Sequence, residues 1–378
     1  MAARWPELAL CAFAVLVGGA ACKTEERPRA AAAESVRLTP RVSSAALPAS
    51  TAAQLGASDR EAGFVAGKRP TRASGTAIVV AGERFDIGAP VVLWSDPGGY
   101  DAYRETPFFA RDDGATAPST SGKKRYRPGR GLWSDPASRE NEPAPGEPEP
   151  TLERLRELVD QFVLHYDVCG TSRRCFEILH DKRNLSVHFL LDLDGTLYQT
   201  LDLQETAWHA RQANPRSIGI EIANMGAYPP DDDEVLARTY VEDERGVRVA
   251  LDANAKLATP GFVARPIRPE RVRGLANGSE LEMHDLTSEQ YATLACLTAG
   301  LAEIFPRIEL DAPRDLAGRV RDDALSDEEF AAWHGLIGHL HITDQKQDPG
   351  PAFDWEQLLA RARALRALGV GPVSAPRE

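Results

Sequence analysis

Ser186-Val187-His188-Phe189-Leu190-Leu191-Asp192-Leu193-Asp194-Gly195-Thr196-Leu197-Tyr198-Gln199 reads as a strand, a two-residue turn and a return strand. Asp-Gly is a strong tight-hairpin signal, because both positions tolerate the positive φ that such a turn requires. The spacing predicts strands over Ser186–Leu193 and Thr196–Leu201. Upstream, Gln161-Phe162-Val163-Leu164-His165-Tyr166 reads as a buried strand. Downstream, Ser217 to Ala223 alternates. Ile218, Ile220 and Ile222 face one way, and Ser217, Gly219, Glu221 and Ala223 face the other.

Helical patterns surround these strands. Leu152, Leu155, Leu158 and Val159 recur at helical spacing, and Cys175–His180 can form a further helix. Thr287-Ser288-Glu289-Gln290 is a capping-box pattern opening a run with Tyr291, Leu294, Leu297, Leu301 and Ile304 on its apolar face. Asp354 is placed to cap a last helix that turns Trp355, Leu358 and Leu359 inward. Interleaved strands and helices predict one α/β or α+β domain over about 151–370, and the architecture expected is α/β with a mixed central β-sheet flanked by helices. Residues 226–285 are polar and rich in turn residues, so they read as a long insertion at its rim.

The remainder of the chain divides by composition. Residues 75–150 carry short β-type runs, Thr76–Val80 and Pro90–Trp94. They also hold Tyr100, Tyr103, Phe108, Phe109, Tyr126 and Trp133, too many aromatics for a free linker. This segment is expected to pack on the main domain as an N-terminal extension, bounded by the Pro/Glu run Glu140–Pro150. Residues 23–74 have few large apolar groups and no sustained period, which predicts a disordered tether. Residues 1–22 read as an export signal, with Arg4, an apolar core Leu8–Val17 and small residues before Cys22. That ending is similar to a bacterial lipoprotein signal in which Cys22 is lipidated, with Gly19 where the pattern usually has Leu; ordinary signal cleavage is the alternative. The resulting expectation is a cell-envelope protein, anchored by lipid on the periplasmic side or else secreted.

Bulk numbers exclude some partners. The formal net charge is −12 over 378 residues, which argues against nucleic acid. No later apolar run reaches the roughly 18 residues of a membrane span. Cys296 lies on an apolar helix face, while Cys169 and Cys175 are six apart, a spacing that suits a local disulfide in an oxidising compartment.

The chemistry concentrates near the end of the chain. Gly338-His339-Leu340-His341-Ile342-Thr343-Asp344-Gln345-Lys346-Gln347-Asp348-Pro349-Gly350 places two histidines, a lysine and two carboxylates in one loop, content suited to holding a metal. A catalytic zinc keeps three protein ligands and one open position. His165 at a strand end, His339 after an apolar run and Asp348 nine residues later are candidates for those three. Glu221, between Ile220 and Ile222, is a half-buried carboxylate that needs a partner or a task. The structural alternatives are a hydrogen-bonded strand-end role for His165 and an ion pair of Glu221 with Arg216 or Lys346. His188 reads as a packed histidine. His180, His284, His334 and His341 read as surface or loop histidines.

Five segments in chain order carry a resemblance: Phe162–Tyr166, Ser186–Gln199, Ala207-Trp208-His209-Ala210, Ser217–Ile222 and the loop from Gly338. Together they resemble the zinc-dependent N-acetylmuramoyl-L-alanine amidases (type 2 amidases) and the related peptidoglycan recognition proteins. The resemblance implies that His165, His339 and Asp348 ligate one Zn²⁺, that Glu221 is the catalytic carboxylate and that Lys346 stabilises charge. It implies that Trp208 and His209 line the substrate groove and that Cys169 and Cys175 form a disulfide. Val187 stands where some members carry a catalytic Tyr, so Glu221 must serve alone. His341 competes with His339 as the second ligand, and the Gly-His pairing and spacing favour His339. The implied activity is hydrolysis of the amide between N-acetylmuramic acid and L-alanine in peptidoglycan or its fragments. The alternatives are a non-catalytic peptidoglycan-binding module and an amidase of this fold acting on another amide.

Overall fold

The protein is described here by a computed structural model covering residues 75–109, 125–130, 150–232, 234–252, 255–368 and 373–374. The export signal with Cys22, the 23–74 tether, Trp133 and nearly all of the Glu140–Pro150 boundary lie outside the described residues. In chain order the strands are β1 (Gly75–Val80), β2 (Glu83–Leu93), β3 (Tyr126–Arg127), β4 (Gln161–Tyr166), β5 (Phe189–Leu191), β6 (Leu197–Gln199) and β7 (Thr206–Ala207). They continue with β8 (Ser217–Ile222), β9 (Tyr240–Asp243), β10 (Gly246–Val249), β11 (Val272–Ala276), β12 (Ser279–Met283), β13 (Gly335–Gly338) and β14 (Val373–Ser374). The helices are α1 (Leu152–Leu158), α2 (Ser172–Phe176), α3 (Glu234–Thr239), α4 (Ser288–Ile304), α5 (Asp327–Ala332), α6 (His339–Ile342) and α7 (Trp355–Ala367).

The fold is α/β around one mixed sheet of eight strands, ordered β1-β2-β6-β5-β8-β4-β13, with β14 also on β2. The Asp194-Gly195 turn closes the antiparallel pair β5–β6, with Leu191 opposite Leu197 and Gly195 at φ +77. The ladder is shorter than the apolar run: beyond Phe189 one main-chain bond, Thr200 N–H to His188 O at 2.9 Å, still reaches the return strand, and side-chain bonds tie down the rest. Ser186 Oγ donates to Arg125 O, Thr200 Oγ1 donates to Val187 O, and His188 Nδ1 accepts from Gly219 N–H. Strands β5, β8, β4 and β13 run parallel, so their carboxyl ends open on one side. Ligands of open α/β sheets bind at such an edge.

The two faces of β8 divide the interior. Ile218, Ile220 and Ile222 are buried with Phe162, Leu164 and the inner faces of α4 and α7, including Leu294, Leu297, Leu301, Leu358 and Leu359. Each such side chain contributes roughly 1.5–3 kcal/mol by leaving water. The capping box of α4 is formed between Thr287 and Gln290, and Asp354 caps α7 by accepting from Gln357 N–H. On the opposite face Val163 packs with Ala210, Ala213, Ile337 and Ile342. That face keeps His165 and Glu221.

Residues ahead of α1 join the same body. Strand β2 pairs with β6, and β3 pairs with β7, Tyr126 opposite Ala207. Tyr100 stacks on Phe176 at 5.2 Å and lies 4.6 Å from Tyr198, while Phe108 and Phe109 meet the same cluster edge-on. Between β8 and α4 the chain forms α3 and two hairpins, β9–β10 and β11–β12. Among the described residues, no helix is long and apolar enough to cross a membrane.

Candidate functional site

His165 stands at the end of β4, directly opposite Glu221 on β8, and Leu164 is opposite Gly338 at the end of β13. Parallel neighbours are about 4.8 Å apart. Three strand ends therefore bring His165, Glu221 and the start of the 339–348 loop to one edge of the sheet. His339 opens α6 immediately after Gly338. A Cβ at Gly338 would stand 2.6 Å from Pro349 Cδ, so the strand can pass this close to the returning loop only as glycine. The return is tied by Leu340 N–H donating to Asp348 O at 2.9 Å.

The three donors converge. Asp348 Oδ2 lies 2.7 Å from His165 Nδ1 and 3.2 Å from His339 Nδ1, and all three groups are buried. The rings of His165 and His339 are 4.6 Å apart and nearly perpendicular. Burial and the neighbouring His339 push His165 down to about 4. Burial alone would raise Asp348, but His339 and His165 outweigh it and hold the carboxyl well below the usual carboxylate range. Tetrahedral ligands at 2.0–2.1 Å from zinc stand about 3.3 Å from one another. The donor set, two imidazole nitrogens and one carboxylate oxygen all within 4.8 Å of one another, fits a zinc ion.

Glu221 is half-buried beside this trio. Burial, then the charges of Asp348 and Asp167, push its carboxyl well above the ordinary value, while Lys346 and Arg183 act in the opposite sense. Arg216 is not its partner: Arg216 forms a two-pronged pair with Asp160, at 2.6 and 2.7 Å. The loop lysine is half-buried, and its backbone carbonyl accepts from Asn277 Nδ2 at 2.7 Å.

His209 lies closer to the centre than a groove wall. Its Nδ1 is 3.0 Å from His165 Nε2, with the rings perpendicular. Its ring rests on Gly219, where a Cβ would come within 2.5 Å of it. Trp208 is half-buried, with its backbone N–H donating to Ser186 Oγ.

Other expectations need correction. His341 is not a surface residue: it is fully buried, with Nδ1 accepting from Gly338 N–H at 2.9 Å and Nε2–H donating to Arg321 O at 2.8 Å. Both ring nitrogens are thus used in holding the loop. His180 is buried against Phe176 and bonded to Asp181, and His284 is stacked on Tyr240 at 4.1 Å. Aromatic neighbours far along the chain cover these rings, which local polarity conceals. Cys169 and Cys175 are separate thiols in this structure, hydrogen-bonded sulfur to sulfur rather than joined.

One positioning residue escaped the sequence reading. Asn277, at the tip of the β11–β12 hairpin, points its amide at Leu340 O, Thr343 O and Lys346 O, at 3.0, 3.2 and 2.7 Å. Its signal was Asn277-Gly278 itself, both at positive φ, the tight-hairpin dipeptide within the insertion.

The sequence model of a family described as N-acetylmuramoyl-L-alanine amidase matches residues 155–351, just over half of the chain. None of the curated proteins compared matches. Among solved structures, the chain is similar to a selenomethionine derivative of AmpD (21% identity, TM-score 0.27, covering 56% of this chain and 86% of that one). It is also similar to the amidase AmiD from E. coli, solved with the substrate anhydro-N-acetylmuramic acid-L-Ala-D-γ-Glu-L-Lys (18%, TM-score 0.30, 59% and 61%). A third is the Staphylococcus aureus hydrolase AmiA in complex with its ligand (13%, TM-score 0.32, 60% and 83%).

Proposed function

The chain belongs to the N-acetylmuramoyl-L-alanine amidase family, and on that premise we propose that it hydrolyses the amide joining N-acetylmuramic acid to the L-alanine of the stem peptide, in peptidoglycan or its fragments. The observation that carries this reading is the convergence of His165 Nδ1, His339 Nδ1 and Asp348 Oδ2 beside the half-buried carboxylate of Glu221. His165, His339 and Asp348 would hold one zinc ion. When bound, zinc supplies Lewis-acid polarisation of the scissile carbonyl and makes water a nucleophile near neutral pH.

The chain's own groups do the rest. Glu221 takes a proton from the attacking water and delivers it to the departing alanine nitrogen, which leaves as a neutral amine. Its burial favours the protonated state that the second half of this cycle needs, and the positive charge of Lys346 acts in the opposite sense, toward the anionic state of the first half. Lys346 also faces the oxyanion of the tetrahedral intermediate, an effect worth ~3 kcal/mol by comparison with single oxyanion donors. Trp208 would border the substrate side, while His209 stands behind His165. Val187 is buried and apolar, so Glu221 is the acid–base group without help from a tyrosine.

The export-type sequence of residues 1–22 supports a place in the bacterial cell envelope, with Cys22 as lipid attachment point and residues 23–74 as tether.

Metal analysis together with product mass spectrometry tests the function. The expected result is one zinc per chain and release of an intact stem peptide with a free L-alanine amine. Binding of muropeptides without any cleavage, whatever the zinc content, would make the chain a recognition module instead.

A further inference from the structure

Arg130 lies ahead of the family-matched region 155–351, yet its side chain is fully buried beneath the site. Among the described residues its guanidinium forms no direct hydrogen bond to a carboxylate, although the nearby Glu205 charge partly offsets its burial. Nε donates to Leu203 O (3.4 Å), Nη1 to Asn214 O (3.0 Å) and Pro215 O (3.1 Å), and Nη2 to Glu205 O (2.8 Å). Nη2 also lies 3.1 Å from His188 Nε2. A buried cation held by main-chain carbonyls is expensive unless its geometry is well satisfied, and a planar fork with several donors suits that task better than an ammonium.

The carbonyls it grips bracket one turn. The chain leaves Leu203–Glu205, pairs through β7 with β3, presents Trp208-His209 and returns at Asn214-Pro215. Inside the turn, Asn214 Oδ1 accepts from His209 N–H at 3.2 Å and from Ala210 N–H at 2.7 Å. Arg130 therefore ties both ends of the turn, and Asn214 passes that restraint to the backbone of His209. On the other side His188 is fixed by its own bonds. Nδ1 accepts from Gly219 N–H, which leaves the proton on Nε2 to donate to Glu205 O at 3.1 Å. The His209 ring sits between the Gly219 backbone and the His188 ring, 5.9 Å away.

We propose that Arg130 is a positioning residue for the metal centre: it fixes the 203–216 turn so that His209 Nδ1 accepts from His165 Nε2–H, leaving His165 Nδ1 to face the metal. The inference rests on the zinc assignment above and adds that a segment outside the matched region holds that ligand's orientation. A ligating histidine's other nitrogen usually needs such a partner, and losing it costs 10–100-fold in metal affinity.

Zinc affinity of the intact chain, read by chelator competition with thermal melting as a folding control, tests it. His209→Phe and Arg130→Met should each weaken zinc binding at least tenfold, and the double variant should bind no more weakly than His209→Phe alone. His209→Asn, whose Oδ1 replaces Nδ1 as acceptor, should recover most of the affinity. If Arg130→Met does not fold, Asn214→Ala takes its place in the same cycle. Unchanged zinc affinity in a folded Arg130 or Asn214 variant, or losses that simply add, would overturn the proposal. An unaltered chain that binds no zinc would instead overturn the metal assignment itself.

Discussion

The two halves of the candidate metal centre are held by different physics. His165 sits on β4, between β8 and β13, where main-chain hydrogen bonds on both sides set its place. His339 and Asp348 sit on a loop leaving the last strand of the sheet, where side chains substitute for a ladder. Asn277 holds three of the loop's carbonyls, His341 bridges Gly338 to Arg321, and Leu340 N–H closes on Asp348 O. Most of the loop's polar groups thus serve the loop, and few are left for ligation. The strand half needs only one such device, the His209 contact on the outer nitrogen of His165.

The strongest break in this comparison is loss of a ligand from either half. His165→Ala and His339→Ala should both abolish stoichiometric zinc, because two remaining donors do not make a structural or catalytic site. Metal analysis after dialysis checks this; retention of one zinc by either variant contradicts the shared centre. His341→Ala should behave differently, keeping its zinc while losing about 1–3 kcal/mol of stability, since it orphans the buried Gly338 N–H and Arg321 O. Denaturant melts on the zinc-loaded protein measure that loss.

Asn277→Ala gives an effect of similar size that reports mainly on the loop half. Freeing three carbonyls should lower stability by about 1 kcal/mol per lost hydrogen bond and reduce turnover through Lys346, with zinc still bound. Steady-state kinetics beside a melting curve separate the two losses. Smallest of all is Asp344→Asn. Asp344 is exposed, so its removal should stay within about ±0.5 kcal/mol and leave zinc affinity unchanged.

Legibility in the sequence followed the same division. Strands β4 and β8, the Asp194-Gly195 hairpin, the α4 capping box and the Asp354 cap are local patterns, and each was readable where it stands. His165, His339, Asp348 and Glu221 could be singled out because their residue types are conspicuous beside apolar runs, and the fold brings the first three together. The burial of His341, His180 and His284 was not, since the groups that cover them come from distant elements. Arg130 and Asn277 were missed for a related reason. Their partners are main-chain carbonyls 63 to 85 residues away, and a carbonyl has no residue type to recognise. Only the Asn277-Gly278 turn offered a local trace.

Zinc content and muropeptide turnover measured together on Glu221→Gln test the central claim most directly. Glutamine keeps the size of the side chain and removes its capacity to accept and return a proton. The account predicts one zinc per chain with turnover reduced by 10²–10⁴-fold. Near-normal turnover in a zinc-loaded Glu221→Gln protein would contradict it.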